Sequence, residues 1–235
     1  MKVICYVRRT KLWAEEYKHS ELWVDRWRAD RIAQIWDQTF TTRYVDFRRR
    51  LNQLQQENLQ EVPFDRVVNQ YDYVRDDSVV VPTDDDDWFH PDIVSVLQER
   101  SKPSYWNFIN YTNGIISVQN PSVEKMLFTY ETNNYALPNP DNEAVLQDHC
   151  YADKCIIGEH IDNCLSVHNR SIGSLSVLRE SLISSDKPHK ELLALYDVAR
   201  RPVEIGLGVP EYFMKYVDKM LAIYRTELTP RRAYL

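Results

Sequence analysis

The chain is poor in glycine, with only five glycines among 235 residues. Glycine allows a backbone to approach a phosphate closely, and neither the G-x-G-x-x-G pattern nor a P-loop occurs in this sequence. The two common glycine-rich phosphate-binding loops are therefore excluded. If a nucleotide binds here, its phosphates need another partner, and a divalent cation is the obvious one.

Cysteine is also scarce, and long apolar runs are missing. Four cysteines in a chain of this length, without a secretion signal, are not typical of a disulfide framework. The N-terminal apolar run spans only five residues before Arg8 and Arg9, which is too short for a signal-peptide core. No stretch approaches the ~20 apolar residues that cross a bilayer. We therefore expect a soluble, cytoplasmic protein without a membrane span.

Positive charge is in deficit and unevenly placed. The formal net charge is −6, which argues against a general nucleic-acid-binding surface. Residues 1–60 carry twelve Lys/Arg and eight Asp/Glu, whereas residues 61–100 carry three and eleven. This asymmetry is typical of a cleft in which an acidic metal loop faces a basic wall that holds an anion, although ordinary surface scatter also produces it.

Hydrophobic patterning predicts an α/β fold. The apolar runs KVICYV and SVVV predict buried strands, and YWNFINY with IISVQN predicts a hairpin around residues 112–114. The stretch RYVDFRRRLNQLQQENLQ predicts an amphipathic helix with Arg48, Arg49 and Arg50 away from its apolar side. The stretch NNYALPNPDN predicts a loop.

The C-terminal part of the sequence is mostly helical in pattern after residue 173. No composition shift is clear enough to divide the chain, so we expect a single domain over residues 1–235, with 177–235 as a helical extension. These helices are rich in Tyr and Leu, and we expect them either to cover the sheet or to form a homodimer surface.

The strand SVVV runs into four consecutive aspartates, Asp84 to Asp87, and Pro91 then opens a helical pattern. Hard divalent cations prefer carboxylate oxygens, and α/β sheets bind ligands at the carboxyl ends of their strands. A solvated acidic turn, with Asp87 or a neighbour capping the next helix, explains the same residues. A calcium EF-hand is disfavoured, because its glycine and its final glutamate are missing.

Two segments together resemble parts of GT-A glycosyltransferases. VVVPTDDDDWFHPDIV is similar to the segment in which a strand runs into an Asp-x-Asp motif, with a proline and a helix soon after. HIDNCLSVHNRSIGSLS, residues 160–176, resembles a later segment of a narrower family described as rhamnosyl transferases, a β-run that ends in His, Asn and Ser. The resemblance covers roughly residues 1–176.

The resemblance implies a GT-A-like (Rossmann-like) mixed sheet flanked by helices, and a site for Mn²⁺ or Mg²⁺. It implies that Asp84 lies near the donor ribose and the metal, that Asp86 is a direct metal ligand, and that Asp87 orients the loop or the sugar. His168 matches a further metal ligand. Asp85, grouped with the donor-binding residues, stands where a small residue is commoner, so the motif register stays open by one residue.

Such an enzyme moves a sugar from a nucleotide-diphosphate sugar to a hydroxyl acceptor such as a glycan, and the metal offsets charge on the leaving diphosphate. The resemblance places Arg8 and Arg9 on the nucleotide, with a plain surface pair as the alternative. An inverting enzyme also needs a carboxylate base. The resemblance favours Asp148 for that role, with Glu131 and Glu143 as rivals.

Two other interpretations stay open. A zinc module is conceivable, because four donors recur every four or five residues, at Cys155, His160, Cys164 and His168. No C-x-x-C occurs, which weakens this interpretation. A catalytically inactive protein that binds sugar or nucleotide on the same fold is the other, because fold does not guarantee chemistry. Trp88 is either a sugar-stacking residue or part of the core.

Overall fold

The computed structural model describes residues 1–8, 38–68, 77–112, 115–119, 134–139, 158–170 and 202–228. In these ranges the strands are β1 (Lys2–Arg8), β2 (Arg66–Val68), β3 (Ser78–Asp84), β4 (Trp88–Phe89), β5 (Ser104–Thr112), β6 (Ile115–Gln119), β7 (Tyr135–Pro138), β8 (Glu159–Arg170) and β9 (Glu204–Ile205). The helices are α1 (Gln38–Glu61), α2 (Ile93–Leu97) and α3 (Glu211–Ile223), the last followed by a π-helical turn, Tyr224–Leu228.

The strands form one mixed sheet in the order β2-β1-β3-β7-β5-β6-β9, with β8 beside β5 and β4 beside β8. Strand β1 pairs in parallel with β2 and β3, and β8 pairs in parallel with β5. The pairs β3–β7, β5–β7, β5–β6 and β4–β8 are antiparallel. An α/β arrangement with a mixed sheet and packed helices is therefore present, as expected.

The N-terminal strand is buried on both faces, which explains its continuous apolar sequence. Val3, Cys5 and Val7 pack in one cluster with the end of α1 and with α2. Ile4 and Tyr6 point to the opposite face and pack with residues of β2 and β3. Alternate side chains of one strand thus contribute to two layers of core.

A second core cluster joins α1 and α3 to the other half of the sheet. Phe47 and Leu51 of α1 pack in it with Phe213 and Tyr216 of α3, together with residues of β5 and β8. Phe47 also stacks on Tyr224, with 5.0 Å between ring centroids. The C-terminal helix in the described range therefore covers the sheet, one of the two roles expected for the extension.

Most strand predictions that the structure tests are confirmed, namely β1, β3, the β5–β6 hairpin and the β-run of β8. The prediction of a loop for NNYALPNPDN is wrong, because Tyr135–Pro138 forms β7 between β3 and β5. This strand contains three consecutive buried apolar residues. It was predicted as a loop because the residues on both sides of it are rich in Asn and Pro, which are typical of turns. Within the extension, Glu204–Ile205 pairs with β6.

Within the described ranges, no helix is both long and apolar enough to cross a membrane.

Candidate functional site at the end of strand β3

The aspartates lie where two parallel strands end together. In the β1–β3 pairing, the backbone of Arg8 lies beside that of Asp84, at the last residue of each strand. The chain then turns, with the N–H of Asp87 donating to the carbonyl of Asp84 at 3.4 Å, and enters β4. The acidic turn, residues 84–87, therefore stands at the carboxyl edge of the parallel part of the sheet.

Most of the acidic turn is withdrawn from solvent. Asp85, Asp86 and Asp87 are 2%, 7% and 1% exposed, and Asp84 is half-buried. Asp87 does not cap the next helix, because its Oδ1 accepts the backbone N–H of Asn169 at 2.9 Å. The solvated-turn interpretation is wrong for these residues.

Arg48 of helix α1 meets two of the four carboxylates. Its guanidinium donates through Nη1 to Oδ2 of Asp86 at 2.8 Å and through Nη2 to Oδ1 of Asp85 at 2.5 Å. Arg48 is only 1% exposed, so the prediction that it lies on the polar side of the helix is wrong. It belongs to the buried stripe because it follows Phe47 and precedes Leu51 by three residues. The next residue, Arg49, is exposed and pairs with Asp46 at 2.7 Å.

Two amides of the same helix hold the backbone of the turn. Nε2 of Gln55 donates to the carbonyl oxygens of Asp84 and, at 3.2 Å, of Asp87, so one side chain joins both ends of the turn. With its amide nitrogen facing the turn, Asn52 donates at 3.1 Å to Oδ2 and to the carbonyl of Asp85.

One helical turn further on, Asn58 fixes the strand that leaves the acidic turn. It donates to the carbonyl of Phe89 at 2.8 Å and accepts the N–H of Phe89 at 2.7 Å, as a neighbouring β-strand would. Spacings of four, three and three residues put all these polar side chains on one helical face. We call this set the polar ladder: Arg48, Asn52, Gln55 and Asn58.

The second predicted segment reaches the same place from β8. In the antiparallel pairing of β4 with β8, Trp88 lies opposite Val167. In the same register, the next pair of opposite residues would be Asp87 and His168. His168 is 8% exposed. Nδ2 of Asn169 also donates to the carbonyl of Asp86 at 3.4 Å. The structure therefore brings the aspartates and His168 together across about eighty residues of sequence.

Burial and neighbouring charge both act on Asp86. The pKa of Asp86 is raised to about 7, mainly because burial disfavours its ionised form. The Arg48 guanidinium opposes this shift, and the charges of Asp85 and Asp84 add to it. A positive charge placed beside Asp86 would favour its ionised form.

The carboxylates of the turn would hold Mg²⁺ or Mn²⁺ only together with ligands from outside the described residues. Among the residues that the structure describes, no three His, Cys, Asp or Glu side chains are grouped so that they could hold a metal ion. Mg²⁺ is commonly held by one or two carboxylates, with phosphate and water completing its shell, whereas Ca²⁺ takes six to eight oxygens. Two carboxylates here already bind Arg48, which favours the smaller ligand number.

The zinc interpretation does not match the geometry of β8. His160, Cys164 and His168 follow one another along a single strand, Glu159–Arg170. Four residues of extended chain span about 13 Å, whereas a zinc–ligand bond is about 2 Å, so these side chains cannot converge on one ion. Cys155, the fourth donor of that proposal, lies outside the described residues.

Trp88 belongs to the core. It is fully buried, and its ring packs 5.6 Å from that of Tyr216. The sugar-stacking interpretation of this tryptophan is therefore wrong.

Several predicted site residues lie outside the described part of the chain: Arg9, Asp148, Glu131 and Glu143. Their roles stay predictions, and Arg8 is placed by its backbone alone. The polar ladder was missed at the sequence level. Its signal is that Arg48, Gln55 and Asn58 occupy positions of the apolar stripe, where a polar side chain needs a buried partner.

Comparison with protein-family models, with curated proteins and with solved structures gives no significant match to this chain.

Proposed function

We propose that this chain is a metal-dependent glycosyltransferase of the GT-A type, which moves a sugar from a nucleotide-diphosphate sugar to a hydroxyl acceptor with Mn²⁺ or Mg²⁺ as cofactor. The observation that carries this proposal is the buried acidic turn at the carboxyl edge of parallel strands, next to His168. Ligand sites of α/β sheets lie at this edge. The raised pKa of Asp86 supports a demand for a cation there.

The site residues divide into ligands and supports. Asp84 is the most accessible carboxylate of the turn. Arg48 engages Oδ2 of Asp86, and no hydrogen bond in the described part of the chain engages Oδ1. Asp84 and Asp86 would hold the cation together with the donor phosphates and water, and the cation would supply charge neutralisation for the leaving diphosphate. His168 is not grouped with the two carboxylates as a third ligand in the described residues, so its predicted ligand role stays a prediction. The predicted role of Arg8, whose backbone lies beside that of Asp84, is binding of the donor nucleotide.

Two residues act in this proposal by orientation. Asp87, whose carboxylate is bound by the Asn169 N–H, fixes the end of the turn against β8. Asp85 accepts from Arg48 and so lies on the helix side of the turn. The carboxylate base of an inverting reaction remains the predicted Asp148.

The test is nucleoside diphosphate release from a panel of nucleotide sugars, measured with Mn²⁺, with Mg²⁺ and with a chelator. Asp86→Asn is expected to lower the rate by about 100-fold or more, because charge stabilisation at the leaving group is lost. Asp65→Asn, an exposed aspartate between α1 and β2, is the matched control and should leave the rate unchanged.

The two functional classes separate in the same assay. Metal-dependent binding of a nucleotide sugar without diphosphate release, in the presence and absence of candidate acceptors, would identify an inactive binding protein. Nucleotide affinity that is indifferent both to the chelator and to Asp86→Asn would contradict the proposal.

A further inference from the structure

We infer that Asn107 of strand β5 is a positioning residue: its side chain holds an insertion in strand β8, and this insertion sets the register that places Asn169 against the acidic turn. The inference concerns the pairing of two strands and requires no bound ligand. It rests on the proposed function only because the acidic turn is taken as the reactive site.

The insertion lies inside the parallel β5–β8 pair. Strand β5 has nine residues and β8 has 12, although the two strands pair from end to end. The numbers of paired residues differ by 55 at Ser104 and Glu159 and by 58 at Phe108 and Ser166. Strand β8 therefore contains three residues more than β5 between these two pairs. Such bulges are rare in parallel pairs, and they often re-aim a side chain near an active site.

The register beyond the insertion decides which residues of β8 reach the acidic turn. In that register Val167 lies opposite Ile109 of β5. The N–H of Asn169 then donates to Oδ1 of Asp87 at 2.9 Å, and its Nδ2 donates to the carbonyl of Asp86 at 3.4 Å. A strand advances about 3.3 Å per residue and alternates its faces. Loss of a three-residue insertion would therefore move Asn169 by about 10 Å along β5 and turn it to the other face.

Asn107 fills the gap that the insertion leaves in the ladder. Within the β5–β8 pairing, Asp162 and Asn163 lie between the partners of Trp106 and Asn107 and have no partner of their own. Nδ2 of Asn107 donates to the carbonyl of Asp162 at 2.7 Å. This bond fixes the amide, so its Oδ1 faces Nε2 of His160 at 2.9 Å, and that ring nitrogen must carry hydrogen. Asn107 thereby joins residues on both sides of the position where the insertion begins.

A second side chain of β5 bridges the far end of the insertion. Nε1 of Trp106 donates to Oγ of Ser166 at 2.9 Å, and both residues are fully buried. Ser166 is the partner of Phe108, so this bond spans the inserted residues. Asn107 is only 9% exposed. The two bonds that Asn107 makes and the bond from Trp106 therefore hold the insertion at its two ends, and we expect loss of the Asn107 bonds to release the register.

The experiment is disulfide trapping in the full chain, with the products identified by mass spectrometry. In the observed register Ile109 lies about 8 Å from the native Cys164, whose partner is Asn107, two positions earlier on β5. Cysteines more than about 7 Å apart are not bridged without backbone movement, so Ile109→Cys alone should form this disulfide slowly. Without the insertion, positions 109 and 164 would lie directly opposite each other.

Adding Asn107→Leu to Ile109→Cys should raise the rate of this disulfide about 10-fold, the equivalent of one to two hydrogen bonds. His160→Phe, which keeps the bond from Asn107 to the Asp162 carbonyl, should raise it less. Cys164→Ser in the same background measures disulfides that form with other cysteines.

The amide proton of Asn169 reports the same register without an introduced cysteine. Because this N–H donates to a carboxylate, its resonance should lie downfield of most amides. Asn107→Leu should move it upfield. Ile4→Val, which trims a core cluster formed by β1, β2 and β3, should lower the melting temperature and leave this resonance unchanged. Should Asn107→Leu fail to fold, His160→Phe compared with Ile4→Val decides the question.

An unchanged trapping rate and an unchanged Asn169 resonance in Asn107→Leu would overturn the inference. Equal shifts in Ile4→Val would overturn it too, because loss of stability alone would then move the register. In the diphosphate-release assay, Asn107→Leu should lower the rate by up to about 100-fold, and an unchanged rate despite a changed register would remove its role toward the site. If the unsubstituted chain releases no diphosphate, the proposed function fails, whereas trapping and the Asn169 resonance still decide whether Asn107 sets the register.

Discussion

Helix α1 carries two kinds of ion pair on two of its faces. Near its middle, Arg48 binds Asp85 and Asp86 with almost no exposure to solvent. Toward its C-terminal end, Glu57 binds Lys219 of α3 with both side chains about half exposed, at 53% and 51%. Glu61 and Lys215 form a similar exposed pair one turn later.

The two regions differ in how much hydration their charged groups keep. An exposed charge keeps most of its hydration, so the Glu57–Lys219 pair gains little and loses little. The Arg48 cluster has given up that hydration, and removing one partner leaves an unpaired charge in a low-dielectric interior. Such a cluster is a poor source of stability, and its presence is better explained by the orientation that it imposes on the acidic turn.

Arg48→Met should give the largest difference in stability between the two regions. We expect it to lower the free energy of unfolding by about 3–5 kcal/mol, the range seen when one partner of a buried ion pair is removed. Urea unfolding followed by circular dichroism measures it. Arg49→Met, which breaks an exposed pair with Asp46 in the same turn of helix, should change the value by less than about 0.5 kcal/mol. Similar losses in both variants would mean that burial does not distinguish the two arginines.

The two regions should also respond oppositely to pH. Asp86 has a pKa raised to about 7, so between pH 4 and 7 the folded chain holds its proton more tightly than the unfolded chain does. Its contribution to the free energy of unfolding is therefore largest at low pH and is lost as the pH rises to 7, by at most about 1.4 kcal/mol per pH unit.

Glu61 shows the reverse sign. The hydrogen bond from Lys215 lowers its pKa, so its contribution is present at neutral pH and is lost as the pH falls through the lowered value. Urea unfolding between pH 3 and 8 measures both effects. Asp86→Asn should flatten the profile between pH 4 and 7, and Glu61→Gln should flatten only its acidic end. A wild-type profile that rises steadily from pH 4 to 7 and is unchanged in Asp86→Asn would contradict the assignment.

Asn58 tests the buried region without touching its charges. Asn58→Ala leaves the N–H and the carbonyl of the buried residue Phe89 without this partner. We expect a loss of about 1–3 kcal/mol, the usual cost of an unsatisfied buried polar group. Gln56→Ala, exposed on the same helix, is the control and should be nearly neutral. An equal effect at both positions would show that helix propensity, and not the contact with β4, sets the loss.

The sequence could predict the strands that define the site, for a simple reason. The runs VICYV and VVV, residues 3–7 and 79–81, are apolar at every position because these parts of β1 and β3 are buried on both faces. Such runs can be recognised from the local sequence. The meeting of the aspartates with His168 was expected from the family resemblance and agrees with the pairing of β4 and β8.

The polar ladder could not be predicted, because it depends on tertiary contacts with residues that are distant in sequence. Periodicity assigns Arg48 to the polar face of a helix unless a partner is known, and its partners lie 37 and 38 residues further along the chain. Strand β7 was not predicted for the same reason. Tyr135–Pro138 pairs with Val79 and Val80 of β3 and with Ser104 and Tyr105 of β5, and these partners are distant in sequence. Local pattern also left Trp88 open between ligand contact and core, and only packing against Tyr216 decided it.

The smallest expected effect concerns the exposed pair at the end of α1. Lys219→Ala should lower the free energy of unfolding by less than about 1 kcal/mol, since both side chains stay hydrated. About half of this loss of unfolding free energy should disappear at about 1 M salt, because the screening length there falls to about 3 Å. A double-mutant cycle with Glu57→Gln isolates the pair from the cation–π contact that Lys219 makes with Tyr216, at 5.9 Å from the ring centroid. A coupling energy above about 2 kcal/mol, or one that does not change with salt concentration, would mean that the exposed region is organised like the buried one. Orientation of the acidic turn would then no longer be the property that distinguishes Arg48.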